Sequence, residues 1–257
     1  MAENVDLYVI NLDKDQDRLK KITEVMKPHP IIRVPGVYGK DMDFSGSEEI
    51  FFTSRYLSPK SINGASMSHR KAVKLFYETS HKPYAVILED DAVPVLPNYM
   101  DEIQEAIRNA PADWDVIKLD YVPMQIGNIQ FNDPNTTAYT SNITPLFTAY
   151  IINKRSAEAI LKTKIYYYPD LDIHFYGLKL YNNPKIIFKQ VEVGENHSHS
   201  MSRSTFNPFP GDFDLKAVRI FDSEFTFVHL TYFLIALVSI LVGFAVFGRS
   251  KAKRKAR

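Results

Sequence analysis

The amino-acid sequence predicts an α/β fold, a mixed sheet with helices on both faces, followed by a C-terminal transmembrane helix. Short apolar, partly β-branched runs of strand type alternate with segments whose apolar residues recur at helical spacing, which is typical of strand–helix units. Near the end of the chain, residues 225–248 contain no Lys, Arg, Asp or Glu and are followed at once by a basic tail. A chain of 257 residues with 45% hydrophobic content is long and apolar enough to bury one large core before that segment.

Charge and cysteine content exclude several classes of function. There are 31 basic and 30 acidic residues, so the net charge of +1 gives no electrostatic reason to expect a nucleic-acid partner. The sequence has no cysteine, which excludes disulfides, zinc–thiolate sites and cysteine nucleophiles. Neither Gly-x-Gly-x-x-Gly nor Gly-x-x-x-x-Gly-Lys-Ser/Thr occurs, and a dinucleotide-binding fold or a P-loop enzyme is therefore disfavoured.

Strands and helices are expected to alternate along most of the chain. The predicted strands cover residues 5–10, 31–34, 84–88, 113–119, 147–152 and 186–193. The predicted helices cover residues 18–26, 66–79, 99–109 and 154–162, the second of them starting after a break at Asn63-Gly64. Residues 121–146 are rich in Asn, Thr and Pro without a clear period, and we expect an irregular insertion that covers a substrate cleft.

The acidic triplet Glu89, Asp90 and Asp91 directly follows a continuous apolar strand, residues 84–88. In an open α/β sheet, ligands bind beyond the carboxyl ends of the strands, so the triplet would emerge at the usual site. Three adjacent carboxylates repel one another, and a divalent cation is the common remedy. Alternation along the strand would place Glu89 and Asp91 on one side and Asp90 on the other. Two interpretations stay open: a metal site, or an acidic turn that ends a strand and faces water.

His69 and the aromatic, acidic segment 166–172 are further candidates. His69 lies on the apolar face of its predicted helix, where a histidine is more often a hydrogen-bonded core residue than a ligand. Residues 166–172 place consecutive tyrosines beside Asp170 and Asp172. Aromatic rings stack on the apolar face of a sugar while carboxylates bind its hydroxyls, so the segment suits a carbohydrate site as well as a tyrosine-rich turn packed against the body.

The chain is expected to divide into a folded domain and a membrane anchor. The predicted boundaries give a domain at 1–205, a linker at 206–224, a transmembrane helix at 225–248 and a basic tail at 249–257. A helix of that length crosses the roughly 30 Å hydrocarbon core, so a lipid bilayer is an expected partner. The positive-inside rule would place the domain outside, whereas an N-terminus without a signal-peptide pattern favours a cytosolic domain with a tail anchor. We expect the cytosolic arrangement.

Five segments occur in the order and spacing of one known family. They are residues 8–12 with Asp17-Arg18, residues 64–69, residues 84–91, residues 113–119, and residues 148–152 ahead of Ala157 and Leu161. On these segments the chain resembles glycosyltransferase family 25, which contains lipopolysaccharide galactosyltransferases and collagen galactosyltransferases. The resemblance covers residues 5–175 and implies a GT-A type, Rossmann-like mixed sheet. It further implies a hexosyltransferase that moves galactose or glucose, with inversion, from a nucleotide-sugar donor of the UDP-sugar kind to a hydroxyl of a glycan or glycoprotein acceptor.

The same resemblance implies roles for the candidate residues. Glu89 and Asp91 would hold Mn²⁺ or Mg²⁺ beside the donor diphosphate, because a cation there stabilises charge on the departing phosphate oxygens. The expected donor-binding residues are Asn11, Arg18, His69 and Asp90. Inversion needs a base that takes the proton of the acceptor hydroxyl, and chain position favours Asp172 with Asp170 as the alternative.

Two other functions would use the same features. A metal-dependent phosphodiesterase would employ the acidic triplet, but it normally needs scattered Asp and His ligands, and the 7 histidines of this chain show no such set near the triplet. A membrane-tethered, non-catalytic carbohydrate-binding protein would keep the fold without turnover. The presence of all three acidic residues of the triplet argues against such a loss of catalysis.

Overall fold

The computed structural model describes residues 4–120, 125–126, 129–130, 138–140, 147–191, 201–203, 213–220, 223–226, 229–231 and 233–238. The chain divides into two compact units, residues 1–55 with 60–197, and residues 56–59 with 198–257. The predicted insertion at 121–146 lies largely outside the described residues.

The described elements up to residue 191 include every predicted strand and helix, together with two short helices, a 3₁₀ turn and four short strands that the sequence does not predict. In chain order they are β1 (Val5–Asn11), α1 (Gln16–Val25), β2 (Ile32–Pro35), a 3₁₀ turn (Gly39–Asp41), α2 (Phe52–Leu57), α3 (Lys60–Thr79), β3 (Tyr84–Glu89), β4 (Ala92–Pro94), α4 (Tyr99–Asn109), β5 (Val116–Lys118), β6 (Gln125–Ile126), β7 (Ile129–Gln130), β8 (Ala149–Asn153), α5 (Lys154–Lys162), α6 (Pro169–Phe175), β9 (Leu180–Asn182) and β10 (Phe188–Gln190).

A mixed sheet with strand order β2-β1-β3-β8-β5-β9 forms the centre of the first unit. β1 is parallel to β2 and β3, β5 is parallel to β9, and β8 runs antiparallel to both β3 and β5. β1, β2, β3, β5 and β9 therefore end at one edge of the sheet, and β8 begins there. We refer to it as the carboxyl edge. β10 pairs with β4 outside this sheet, so the strand predicted at 186–193 is shorter and lies elsewhere.

The two faces of the sheet bury separate apolar layers, which confirms the predicted mixed sheet with helices on both faces. In β1, Val5, Leu7 and Val9 pack into a layer with α1 and α4, while Tyr8 and Ile10 pack on the opposite face with α3, α5 and α6. Successive side chains of a strand point to opposite faces, and a strand buried on both faces is apolar throughout. The helices on each face hold the strand ends in place at the carboxyl edge.

α3 begins at Lys60, six residues before the predicted start, because Asn63-Gly64 continues the helix instead of breaking it. Asn63 Nδ2 donates to Ser54 O at 3.0 Å. Gly64 lies against the 3₁₀ turn so closely that a Cβ there would be 2.6 Å from Gly39 N. The glycine is therefore required by close backbone packing and not by a turn.

The second unit contains an antiparallel sheet of β11 (Met201–Arg203), β12 (Phe213–Ile220) and β13 (Ser223–Thr226). Residues 229–231 and 233–238 are helical, whereas 239–248 lie outside the described residues. Within the part of the chain that the structure describes, no helix is long and apolar enough to span a membrane. The predicted helix start at Phe225 is wrong, because Phe225 pairs with Val218 in the β13–β12 ladder.

Candidate active site

The carboxyl edge carries the polar residues of the candidate site. Asn11 ends β1, Glu89 ends β3 and Lys118 ends β5. At the start of β8, Thr148 O accepts a hydrogen bond from Glu89 N at 2.8 Å. Thr148 N donates to Asp120 Oδ2 at 2.8 Å, so this one residue connects the ends of β3 and β5.

Asp90 is held by side chains of β1 and α1. Its Oδ2 accepts a hydrogen bond from Asn11 Nδ2 at 2.7 Å, and its Oδ1 accepts one from Arg18 Nη1 at 3.0 Å. Asn11 is itself fixed, since its Oδ1 accepts from Arg33 Nε at 3.1 Å. Burial raises the pKa of Asp90, and the hydrogen bonds from Asn11 and Arg18 oppose the rise. Both oxygens of this carboxylate are thus engaged within the protein.

Asp91 is buried, and only one of its two carboxylate oxygens accepts a hydrogen bond from a described residue. Its Oδ2 accepts a hydrogen bond from Gln190 Nε2 at 3.1 Å and lies 3.6 Å from Arg18 Nη1. Its Oδ1 is buried and has no hydrogen-bond partner among the described residues. Burial, and after it the charge of Glu89, raises the pKa of Asp91 to about 7. A buried carboxylate oxygen in this state favours a proton or a cation.

Glu89 lies on the α3 side of the carboxyl edge, and its charge still acts on Asp91. Its Oε1 lies 3.2 Å from His69 Nε2, and His69 Nδ1 lies 3.0 Å from the Tyr150 hydroxyl. The structure agrees with the prediction that Glu89 and Asp90 lie on different sides. It differs for Asp91, which the sequence predicts on the side of Glu89 but which lies near Arg18, as Asp90 does. The alternation ends because β3 ends at Glu89.

A second charged cluster lies beside the triplet around Lys118, which is buried within the sheet. Burial lowers the pKa of Lys118, and the charges of Asp120 and Asp170 oppose that shift. Asp120 is 1% exposed, and its Oδ1 has no hydrogen-bond partner among the described residues. Burial raises the pKa of Asp120 and of Asp170, and in both cases the positive charge of Lys118 is the main opposing effect. The carboxyl edge thus holds two neighbouring groups of buried charge.

Asp172, the predicted base, is fully used as a hydrogen-bond acceptor. Its oxygens accept from Tyr166 N and Tyr167 N at 2.8 to 3.2 Å and from the Tyr176 hydroxyl at 3.2 Å, and the residue is 2% exposed. Burial raises its pKa to about 7 against those hydrogen bonds. Asp170, two residues earlier, accepts from Leu171 N at 3.0 Å. These hydrogen bonds indicate a structural role for Asp172, whereas Asp170 interacts with the charge of Lys118.

The described residues contain no group of three or more Asp, Glu or His side chains arranged to hold a metal ion. Any cation at Glu89 and Asp91 would need further ligands from substrate or water. The sequence-based interpretation missed three contributors to the site, Lys118, Tyr150 and Gln190. Lys118 had a visible signal, a lysine inside an apolar strand, whereas Gln190 comes from a distant strand and had none.

The fold and the candidate site together define a class of protein, an α/β protein with a polar cluster at the carboxyl ends of its strands. The cluster combines carboxylates with a guanidinium and an amide, at the edge where ligands of such folds bind. Such an edge suits an anionic ligand accompanied by a cation. The family model of glycosyltransferase family 25 (LPS biosynthesis protein) matches residues 4–174, and the chain belongs to that family. It is a glycosyltransferase.

Solved structures show a distant likeness. The crystal structure of A197 from STIV is 10% identical, with a TM-score of 0.42 over 74% of this chain and 86% of that chain. A mutant of Drosophila beta-1,4-galactosyltransferase 7, in complex with manganese, UDP-Gal and xylobiose, is 9% identical, with a TM-score of 0.35 over 74% of this chain and 71% of that chain. Both TM-scores are too low to support any inference about the site. A search of curated proteins gave no match.

Proposed function

We propose that this glycosyltransferase has a GT-A type site that transfers galactose or glucose, with inversion, from a UDP-sugar to a hydroxyl of a glycan or glycoprotein, with Mn²⁺ or Mg²⁺ bound at the acidic triplet. The observation that carries the proposal is Asp91 Oδ1, a buried carboxylate oxygen without a partner among the described residues, at the carboxyl edge and close to the charge of Glu89. Attachment to a bilayer and a cytosolic location of the domain stay predictions.

The residues present fit a hard divalent cation. Carboxylate oxygens are its preferred protein ligands, and Mg²⁺ in particular is commonly held by one or two carboxylates together with substrate phosphates and water. Glu89 and Asp91 would supply those carboxylates. When bound, the ion would stabilise the negative charge that develops on the leaving nucleoside diphosphate.

Asn11, Arg18 and Asp90 support the donor side of this site. Arg18 bonds Asp90 and lies close to Asp91, so its guanidinium balances part of the negative charge of the triplet. A guanidinium at this edge also favours the diphosphate of a nucleotide-sugar, since charge-assisted hydrogen bonds to phosphate are strong. Asn11 fixes the other oxygen of Asp90 and thereby sets the direction of the turn after β3.

Asp170 is the better candidate for the base that takes the proton of the acceptor hydroxyl. A general base must come within hydrogen-bond reach of that proton, directly or through one water. The oxygens of Asp172 already accept two backbone N–H groups and a tyrosine hydroxyl, so a substrate would have to displace them. Asp170 accepts from fewer donors, the backbone N–H groups of Leu171 and of Asp170 itself, and interacts with the charge of Lys118.

A donor screen with a matched pair of variants tests the proposal. Purified protein would be given Mn²⁺, a panel of nucleotide-sugars and hydroxyl acceptors, and both nucleoside diphosphate release and glycosylated product would be measured. Asp91→Asn is expected to lose activity about 100-fold or more, as expected when one element of transition-state charge stabilisation is removed. Asp101→Asn removes an exposed carboxylate on α4 and serves as the control.

The alternative functions give different results in the same screen. Free sugar or phosphate without any acceptor product would favour the phosphodiesterase. Sugar binding with no diphosphate release from any donor, and equal behaviour of Asp91→Asn and the parent, would favour the non-catalytic binding protein. Either result would overturn the proposed transfer.

A further inference from the structure

A hydrogen-bonded chain of buried side chains runs from β8 to the acidic triplet. The Tyr150 hydroxyl lies 3.0 Å from His69 Nδ1, and His69 Nε2 lies 3.2 Å from Glu89 Oε1. Tyr150 is 1% exposed and His69 5% exposed, whereas the Glu89 side chain is 34% exposed. The chain therefore begins in the core and ends on the most exposed carboxylate of the triplet.

The chemistry of the three groups fixes the direction of the hydrogen bonds. An ionised carboxylate only accepts, so His69 Nε2 must carry a hydrogen and donate it to Glu89. In the neutral ring Nδ1 is then an acceptor, and the Tyr150 hydroxyl donates to it. With an ionised Glu89 and a neutral His69 ring, each member of the chain thus determines the role of the next.

Aromatic packing holds the two rings in place. Phe147 stacks on Tyr150 with ring centroids 3.8 Å apart and an interplanar angle of 18°. Phe147 also contacts His69, at a centroid distance of 5.6 Å. These ring contacts and the burial of both side chains restrict the orientations that His69 and Tyr150 can adopt.

We propose that Tyr150 is a positioning residue that acts through His69: the pair fixes Oε1 of Glu89 and leaves the other oxygen of that carboxylate for the cation. This inference rests on the proposed function, because it concerns how Glu89 is prepared for that ion. Oε2 of Glu89 has no hydrogen bond to any described residue. Without the pair, a partly exposed glutamate would sample several rotamers, and only some of them would keep Oε2 where it is in this structure.

Tyr150→Phe tests the inference because it deletes one hydroxyl and keeps the ring that stacks on Phe147. The readout is the Kd of Mn²⁺ alone, measured by calorimetry without donor or acceptor. Loss of a residue that orients a metal ligand typically weakens metal affinity about 10- to 100-fold, and we expect a rise in Kd within that range. Tyr99→Phe is the matched control, since its buried hydroxyl donates to Met26 O at 2.6 Å on the other face of the sheet.

A double-mutant cycle separates positioning from general loosening of the core. In a Glu89→Gln background, Tyr150→Phe is expected to leave the Kd of Mn²⁺ unchanged, because the group that the pair positions no longer ligates as a carboxylate. His69→Leu, which removes both hydrogen bonds, should weaken Mn²⁺ binding at least as much as Tyr150→Phe and provides the result if Tyr150→Phe does not fold.

The outcomes distinguish this inference from the proposed function. If the parent protein binds Mn²⁺ and Tyr150→Phe binds it equally well, the positioning role is wrong while the proposed function stands. An equal loss in Tyr150→Phe and Tyr99→Phe would also overturn it, since any buried hydroxyl would then have the same effect. If the parent protein binds no divalent cation, the metal part of the proposed function fails, and the inference fails with it.

Discussion

Asp91→Asn is expected to stabilise the metal-free protein while abolishing its response to Mn²⁺. Burial and the charge of Glu89 raise the pKa of Asp91 from 3.8 to about 7 in the folded protein. Because the folded-state pKa lies above the unfolded value, the fold binds this proton more tightly than the unfolded chain does. Stability from this group is thus full below about pH 4 and is lost as the pH rises to about 7. A pKa difference of about three corresponds to at most about 4 kcal/mol.

The variant removes that penalty, because an asparagine has nearly the same shape and no charge. It also loses the attraction of Arg18, so we expect a net gain of about 1–3 kcal/mol at pH 8. At roughly 2–4 °C per kcal/mol for a chain of this size, the Tm should rise by several degrees. Mn²⁺ at about 100 times its Kd should stabilise the parent protein by about 2.7 kcal/mol and the variant not at all.

Thermal unfolding between pH 4 and pH 8, with and without Mn²⁺, provides the measurement. The Tm difference between variant and parent should grow from pH 4 to pH 7 and then stay constant, with Asp101→Asn as the control. A variant less stable than the parent at pH 8 without metal would refute the reasoning about a destabilised carboxylate. A variant that still responds to Mn²⁺ would refute the role of Asp91 as a ligand.

Three further predictions concern the base, the donor side and the fold. Asp170→Asn should lower kcat about 100-fold or more with little change in Tm. Asp172→Asn should lower the free energy of unfolding by about 1–3 kcal/mol and leave kcat unchanged. The reverse pattern in kinetics and melting would assign the base role to Asp172. Arg18→Ala should lower the free energy of unfolding in urea by about 1–3 kcal/mol, since Asp90 would stay buried without its cation, and an unchanged urea midpoint would contradict this. Gly64→Ala should lower the free energy of unfolding in urea by about 1–3 kcal/mol, because its Cβ would lie 2.6 Å from a backbone atom. Gly46→Ala is the control and should change that free energy little, since a Cβ there has no atom within 4 Å. Equal losses in the two variants would disprove the packing argument.

The strands and the place of the acidic triplet could be predicted from the sequence because both depend on local pattern. Residues 84–88 are apolar without interruption, so burial on both faces followed from the run itself, and parallel strands bring their ends to one edge. Contacts between distant segments carried no such signal. Gln190, which bonds Asp91, and the close approach of Gly64 to a turn depend on how the chain folds back on itself.

The structure differs from the sequence-based predictions, or adds a second interpretation to them, where a residue type is suited to two environments. An acid beside tyrosines suits a sugar site, yet Asp172 binds the backbone of residues 166 and 167 and so ties that turn to α6. Asn63-Gly64 suits a turn, but the helix continues because the glycine makes room for a neighbouring chain segment. Phe225 and Thr226 are apolar or β-branched enough for a membrane helix, and they are equally good strand formers in a pair with β12.

The reversed direction of β8 has a consequence for how this enzyme's specificity can change. β5 leads to Asp120 at the carboxyl edge, β8 is entered through Phe147 and Thr148 at the same edge, and the Asp120–Thr148 hydrogen bond ties the exit to the entry. Asp120 and Phe147, the described residues on either side of the segment 121–146, thus lie at neighbouring points of the edge that carries the candidate site. If the proposed function holds, exchanges in that segment away from Thr140, which bridges Asn182 of β9, should change acceptor choice while the strand register stays the same.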